Sequence, residues 1–258
     1  MSELIQWPTA KYWTAQWNPV IGCKPCSPAC EHCYAASWAK RFGQSFEPHE
    51  TRQRPPRNGI VFCGNMTDLF GEWMGPSCGV ISICQSMYNG KSEAQYLYLT
   101  KRVQRMCHAL DELSTDARIN RSANHYFGFT AENQEWYEKR LQLRCASNFI
   151  WPDWAKLWAS CEPLLGPIDL GLMFCGEVVK PKYRWVVVGC ESGPKRRPCK
   201  IEWVESIVEQ CLAANVPVFV KQICLPTGKF TNKIEEFPAH LQIRQVPWAI
   251  SETKGTTK

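Results

Sequence analysis

The sequence predicts an α/β fold, a partial or small (β/α) barrel built on a largely parallel sheet. Three observations carry that expectation. Seven short β-rich runs recur along the 258 residues, and most are followed by a helical pattern; strands that alternate with helices pair in parallel through crossovers. Val186-Val187-Val188 and Val218-Phe219-Val220 are continuous apolar runs, as strands buried on both faces require. Unusual polar residues stand directly after six of the runs, where the ligand-bearing rim of such a sheet lies.

The first run, residues 12–17, leads into a cysteine-rich segment and a helical pattern at 35–42. Run two, 60–63, ends at Asn65-Met66-Thr67-Asp68 and precedes helical spacing over 79–88. Run three, 96–99, ends at Thr100-Lys101-Arg102 and passes into a helix over 102–113. Run four, 126–129, ends at Thr130-Ala131-Glu132-Asn133, with a helix expected over 134–145. Run five, 156–160, ends at Glu162-Pro163, and its crossover carries Pro163, Pro167 and Pro181, which breaks helical spacing over 162–182. Run six, 185–188, ends at the glycine-bounded turn Gly189-Cys190-Glu191-Ser192-Gly193 before a helix over 201–214. Run seven, 218–220, ends at Lys221-Gln222. Residues 1–250 read as one domain, and the polar tail 251–258 is expected to be disordered.

Composition narrows the function classes. Met1 to Pro8 lack the basic start and apolar run of an export signal, and no stretch approaches the roughly 18 apolar residues of a membrane span. A cytoplasmic protein with no membrane partner is expected. The net charge of +6 and twelve tryptophans favour a polyanionic partner modestly, although most tryptophans read as core. Fifteen cysteines in a chain without an export signal argue against a disulfide scaffold. Cys63, Cys84, Cys107, Cys145, Cys161 and Cys211 sit singly in apolar or helical settings and read as small buried hydrophobes.

Four cysteines crowd between Cys23 and Cys33. Cys26, Cys30 and Cys33 give a C-x3-C-x2-C spacing, which lets three thiolates hold three irons of a [4Fe–4S] cluster and leaves the fourth iron open. The competing reading is one structural zinc enclosed by Cys23, Cys26, Cys30 and Cys33, although zinc usually takes two separated pairs. His32, inside the loop, reads as packing rather than as a ligand.

The loop and the rim segments together are similar to a known family. From Trp13 to about Pro238 the sequence resembles the radical S-adenosylmethionine (SAM)-like phage proteins with a three-cysteine motif, a domain of unknown function. The matching segments are Trp17-Asn18-Pro19, Gly22-Cys23, Cys30, Cys33-Tyr34-Ala35, Asn65-Met66-Thr67-Asp68-Leu69-Phe70 and Leu99-Thr100-Lys101-Arg102. Glu162-Pro163-Leu164-Leu165-Gly166-Pro167-Ile168, Gly189-Cys190-Glu191-Ser192-Gly193 and Val220-Lys221-Gln222 complete the match. The family's three cysteines fall at Cys23, Cys30 and Cys33, so Cys26 is extra and the first ligand is Cys23 by resemblance, Cys26 by spacing.

The resemblance implies a [4Fe–4S] cluster, SAM on its open iron, an external one-electron reductant and a 5′-deoxyadenosyl radical. The phage-like family, the basic chain and the aromatics point to a DNA or nucleotide substrate, in a rearrangement or other base modification within the host cytoplasm. Asn65, Asp68, Thr100, Lys101, Glu132, Gly189 and Ser192 are the candidate cofactor-binding residues, with helix capping the alternative for Asn65, Asp68 and Glu132. Glu162, Glu191 and Lys221 are the candidate catalytic residues, because a plain surface does not ask for charges at the ends of apolar strands. The alternative function is a zinc-stabilised nucleic-acid-binding or regulatory protein.

Overall fold

The computed structural model describes residues 5–75, 93–115, 124–145, 151–152, 154–172 and 183–248. The helix expected at 79–88, the tail 251–258, Cys84 and Pro181 lie outside these residues. The strands are β1 (Ile5–Gln6), β2 (Ala15–Trp17), β3 (Val20–Ile21), β4 (His49–Glu50), β5 (Ile60–Cys63) and β6 (Gln95–Thr100). They continue as β7 (His125–Thr130), β8 (Lys156–Cys161), β9 (Trp185–Gly189), β10 (Val218–Cys224), β11 (Phe230–Thr231) and β12 (Gln245–Val246). The α-helices are α1 (Tyr34–Arg41), α2 (Val103–Thr115), α3 (Gln134–Cys145) and α4 (Ile201–Ala213).

All seven expected runs are strands of one eight-stranded sheet, ordered β11-β10-β9-β8-β7-β6-β5-β2. From β2 to β10 every neighbouring pair is parallel, and β11 adds an antiparallel edge. Among the described residues no ladder joins β2 to the far edge, so the sheet is not a closed barrel.

The sheet curls all the same. The ring of Tyr12, just before β2, lies 6.2 Å from Phe62 on β5, 4.9 Å from Trp185 on β9 and 5.4 Å from Phe219 on β10. One side chain that meets rings from both ends of a sheet requires the sheet to bend around it. Alternation along each strand divides the core accordingly. Ile60, Phe62, Leu97, Tyr126, Trp158, Trp185, Val187 and Phe219 face the concave side, which Val246 and Trp248 help to fill. Val61, Tyr98, Phe127, Ala159, Val186 and Val220 face the other side and bury Met106, Leu110, Tyr137, Val204 and Ile207 of the three crossover helices. Helices on one face and aromatics on the other leave the C-terminal strand ends as the open rim. Cys63, Cys107, Cys161 and Cys211 are buried within the helix-side core.

Candidate active site

The first crossover, from β2 to β5, carries the cysteine loop. Its two ends are tied together by the β3–β4 ladder, Val20 opposite Glu50 and Ile21 opposite His49. Gly22 then turns the chain with φ +101°, and a Cβ there would lie 2.4 Å from the carbonyl oxygen of Glu47. Only glycine meets both demands. Its N–H donates to Met66 O at 3.0 Å, and Thr67 Oγ1 donates to its carbonyl at 2.6 Å. The loop therefore starts pinned to the end of β5.

Three arginines hold the rest of the loop against the rim. Arg102 donates to the carbonyl of Lys24 at 2.9 Å and is paired with Asp68 and Glu72, each at 3.1 Å. Arg197 donates to the carbonyl of Pro28 at 3.0 Å and pairs with Glu191 and Glu31. Arg140 acts through a carboxylate: it forks onto Glu132, and Ser27 of the loop donates to the same carboxylate. Each clamp spans residues far apart in sequence, and together they fix the loop over the strand ends.

The result is a cavity of about 460 Å³ at the C-terminal ends of the strands. Cys23, Cys26, Cys30 and Cys33 line it on the loop side. Opposite them stand Asn65, Asp68, Thr100 and Lys101 from the ends of β5 and β6. Glu162, Glu191, Ser192 and Lys221 complete the wall from the ends of β8 and β9 and from β10. Residues separated by nearly two hundred positions thus reach one space.

The environments of these groups differ. The hydrogen bond from Cys26 holds the Cys30 thiol down to about 4, well into the thiolate range, and the same bond together with burial raises Cys26. Burial and the charge of Asp68 push Cys23 up to about 11. Among the described residues no three Cys, His, Asp or Glu side chains converge closely enough to hold a metal ion. Uptake of a metal or cluster here requires the thiols to draw together. The donor set suits such a group chemically: four sulfurs in one loop, one thiolate already favoured, and the cations Lys101 and Arg102 on the same cavity wall.

The family comparison places this chain. The profile of a family described as "Protein of unknown function (DUF5131)" matches residues 8–236. The chain belongs to that family. No curated protein and no solved structure matches it. The matched span of the DUF5131 chain takes in the whole cavity, from Tyr12 to Lys221. No helix among its described residues is long and apolar enough to cross a membrane.

Several expected site residues of the DUF5131 chain have other occupations. Asp68 accepts from Thr100 Oγ1 at 2.7 Å, Phe70 N at 3.0 Å and Lys101 N at 3.1 Å, so it knits β5 to β6 beside the cavity. Glu191, 5% exposed, takes His32 Nδ1 at 2.9 Å as well as Arg197 and serves to hold the loop. His32 itself lines the cavity beside the loop cysteines. Glu132 is fully buried beneath the loop and does not line the cavity; its carboxyl is held low by Arg140 and Ser27 against the opposing effect of burial. Gly189 is also absent from the lining, and a Cβ there would press on Gln222 of β10 at 3.2 Å. Close strand packing accounts for that glycine.

Lys221 lies inside β10, not beyond it, because the strand runs on to Cys224. Lys221 stands two residues beyond the concave-facing Phe219, so alternation along β10 turns it to the cavity, and the register against β9 shifts just there, between Val220 and Gln222. Its Nζ meets Glu162 Oε1 at 2.6 Å. Sequence reasoning missed Ser27, Arg140, Arg197, Tyr12 and Trp13 as site-building residues. Arg140 had a signal, since it follows the buried Tyr137 by three positions and so shares its inward face of α3.

Proposed function

We propose that this chain is a radical SAM enzyme in which Cys23, Cys30 and Cys33 hold a [4Fe–4S] cluster and SAM binds beside it. One observation carries the reading: the loop thiols open onto the same rim cavity as the polar strand ends. When bound, the cluster and SAM supply one-electron cleavage of the sulfonium and a 5′-deoxyadenosyl radical, with an external reductant. This chain's residues do the rest. Lys101 lines the cavity with an ammonium suited to the SAM carboxylate, and Asn65 lines the same wall at the end of β5. Ser192 adds a hydroxyl at the end of β9. Glu162 and Lys221, in contact at 2.6 Å, can hold or pass a proton beside the substrate. The substrate proposed is a DNA base or nucleotide, consistent with the net charge of +6 and the aromatic lining, and the reaction an isomerisation or other base modification by resemblance to phage proteins.

Anaerobic protein reconstituted with iron and sulfide, then given SAM and dithionite, is expected to release 5′-deoxyadenosine. Zinc in place of iron and sulfide, with no such release, would favour the zinc-stabilised nucleic-acid-binding alternative. A second expected result separates the first ligand. Cys23→Ala loses the cluster while Cys26→Ala, which alters the exposed thiol, keeps it; equal loss of iron in both variants points to four-cysteine ligation instead.

A further inference from the structure

We propose that the outer face of α1 is a docking surface for an acidic one-electron carrier protein, the partner that delivers electrons to the cysteine loop. The identity of the partner rests on the radical reading of the cavity, whereas the surface stands on the helix itself.

An ordinary surface helix turns its large apolar side chains inward. In α1 the buried positions are Ala35 and Ala39, and the large rings stand outside. Tyr34, Trp38 and Phe42 are 58%, 47% and 56% exposed, and their four-residue spacing lines them along one face, from the first residue of the helix to its C-cap. They are three of the four large hydrophobics that stand exposed among the described residues. The Trp38 and Phe42 rings are in contact, with centroids 4.8 Å apart. A contiguous apolar stripe on a surface marks an interaction site, where a lone exposed residue does not.

Charge selects the partner. Lys40 and Arg41 are exposed in the last turn, and the Arg41 guanidinium lies 5.9 Å from the Phe42 ring. Lys24, Arg52 and Arg54 are exposed on the same crossover, against Glu31, Glu47 and Glu50, and Glu31 is already paired with Arg197. An aromatic centre with a basic rim has the composition of a protein interface and calls for an acidic counterpart. A second copy of this chain would bring the same basic residues to both sides of the contact. A nucleic-acid strand would need open ring faces to stack on, but Trp38 and Phe42 are turned 48° to one another and Arg41 lies over Phe42. The stripe is also short, eight helical residues or about 12 Å, which suits the small, weak contacts of electron-transfer partners.

Position links the stripe to the loop. Cys33 is the N-cap of α1, so the stripe starts one residue from a loop thiol. Tyr34 lines the cavity beside the loop cysteines, whereas Trp38 and Phe42 do not. A carrier seated on those two rings therefore stands beside the loop and leaves the cavity to the substrate. In each encounter the carrier is oxidised by one electron, which the cluster held by the loop accepts, and no atom is exchanged.

Calorimetric titration of the full chain with an acidic flavodoxin and with an acidic ferredoxin, before any iron is added, tests the surface. At least one is expected to bind saturably at low salt, with an affinity that falls as salt rises. Trp38→Ala/Phe42→Ala and Lys40→Glu/Arg41→Glu are each expected to weaken that binding about tenfold. On reconstituted protein the reduced carrier should drive 5′-deoxyadenosine release that both double variants lower by a similar factor. Dithionite, which needs no docking, should drive it equally in all three proteins. Binding of neither carrier, or an affinity that the folded variants leave unchanged, overturns the proposal. So does a dimer, or a complex with a single-stranded oligodeoxynucleotide, that Trp38→Ala/Phe42→Ala abolishes. Should that variant misfold by circular dichroism, the charge-reversed pair still decides. Carrier binding that follows the variants while dithionite yields no 5′-deoxyadenosine keeps the docking surface and overturns the radical reading instead.

Discussion

Replacing Cys30 or Cys33 with alanine is expected to remove the iron-dependent visible absorption of the reconstituted protein entirely. Both residues belong to either spacing of the motif, so no register of the loop spares them. Cys30 is the more telling of the two. Its thiol is held down to about 4 by the hydrogen bond from Cys26, and Ser27 Oγ lies 3.8 Å from its sulfur, so a thiolate is in place at neutral pH. Thiolates, not thiols, ligate iron. A cluster that loses one of three thiolates has no nearby substitute of the same kind unless Cys26 takes the place, and the Cys26→Ala background closes that route. Cys161→Ala is the control. That thiol is buried behind the sheet and burial pushes its pKa far up, so its loss should leave iron content unchanged. Iron and sulfide analysis of the purified variants is the measurement. A full complement of iron in both Cys30→Ala and Cys33→Ala would sink the cluster assignment, while loss in Cys161→Ala as well would mean that the readout follows folding.

The contrast between these cysteines shows which physics a sequence displays. The strands were legible because the demand on them is local: a strand buried on both faces must be apolar at each position, as Val186-Val187-Val188 is. The rim was legible because parallel strands in chain order bring their C-terminal ends to one side, which placed Glu162, Glu191 and Lys221 at one cavity despite their separation. What each rim charge does there was not legible. Glu191 and Glu132 look alike as acidic residues after strands, yet one holds Arg197 and His32 and the other lies fully buried against Arg140. Which charges find partners depends on where a loop from another crossover comes to rest, and nothing in the spacing of either residue encodes that. The register shift after Val220 is hidden for the same reason, since it belongs to the pair of strands and not to β10 alone. Closure failed to form for a reason of the same kind: β11 pairs along the outer edge of β10, the edge that a closing β2 would need.

Glu132→Leu is expected to be the most destabilising single change among the site-building residues, about 3–5 kcal/mol, because it leaves a buried guanidinium without its counter-charge. Arg140 is 1% exposed and Glu132 fully buried. The guanidinium donates twice to the carboxylate, with Nη2 to Oε1 at 3.1 Å, and to the carbonyl of Thr130, while its Nε has no partner. The arrangement is thus already one donor short, and losing the carboxylate leaves the charge with the Thr130 carbonyl and the face of Trp136, 5.0 Å from its ring centroid. Leucine fills the volume but offers Ser27 nothing, so the cysteine loop also loses one of its three clamps. For a chain of this size the loss corresponds to a fall in Tm of roughly 6–20 °C. The pH dependence has a definite sign. Glu132's carboxyl is held below its ordinary value, so its stabilisation is complete above the ordinary carboxylate pKa of about 4.3 and fades as pH falls through the lower folded value. The stability gap between the natural chain and Glu132→Leu should accordingly be widest at neutral pH and narrow in acid. Denaturant unfolding across that range measures it. A gap below about 1 kcal/mol at pH 7, or one that widens in acid, would mean that the pair contributes far less than its burial implies.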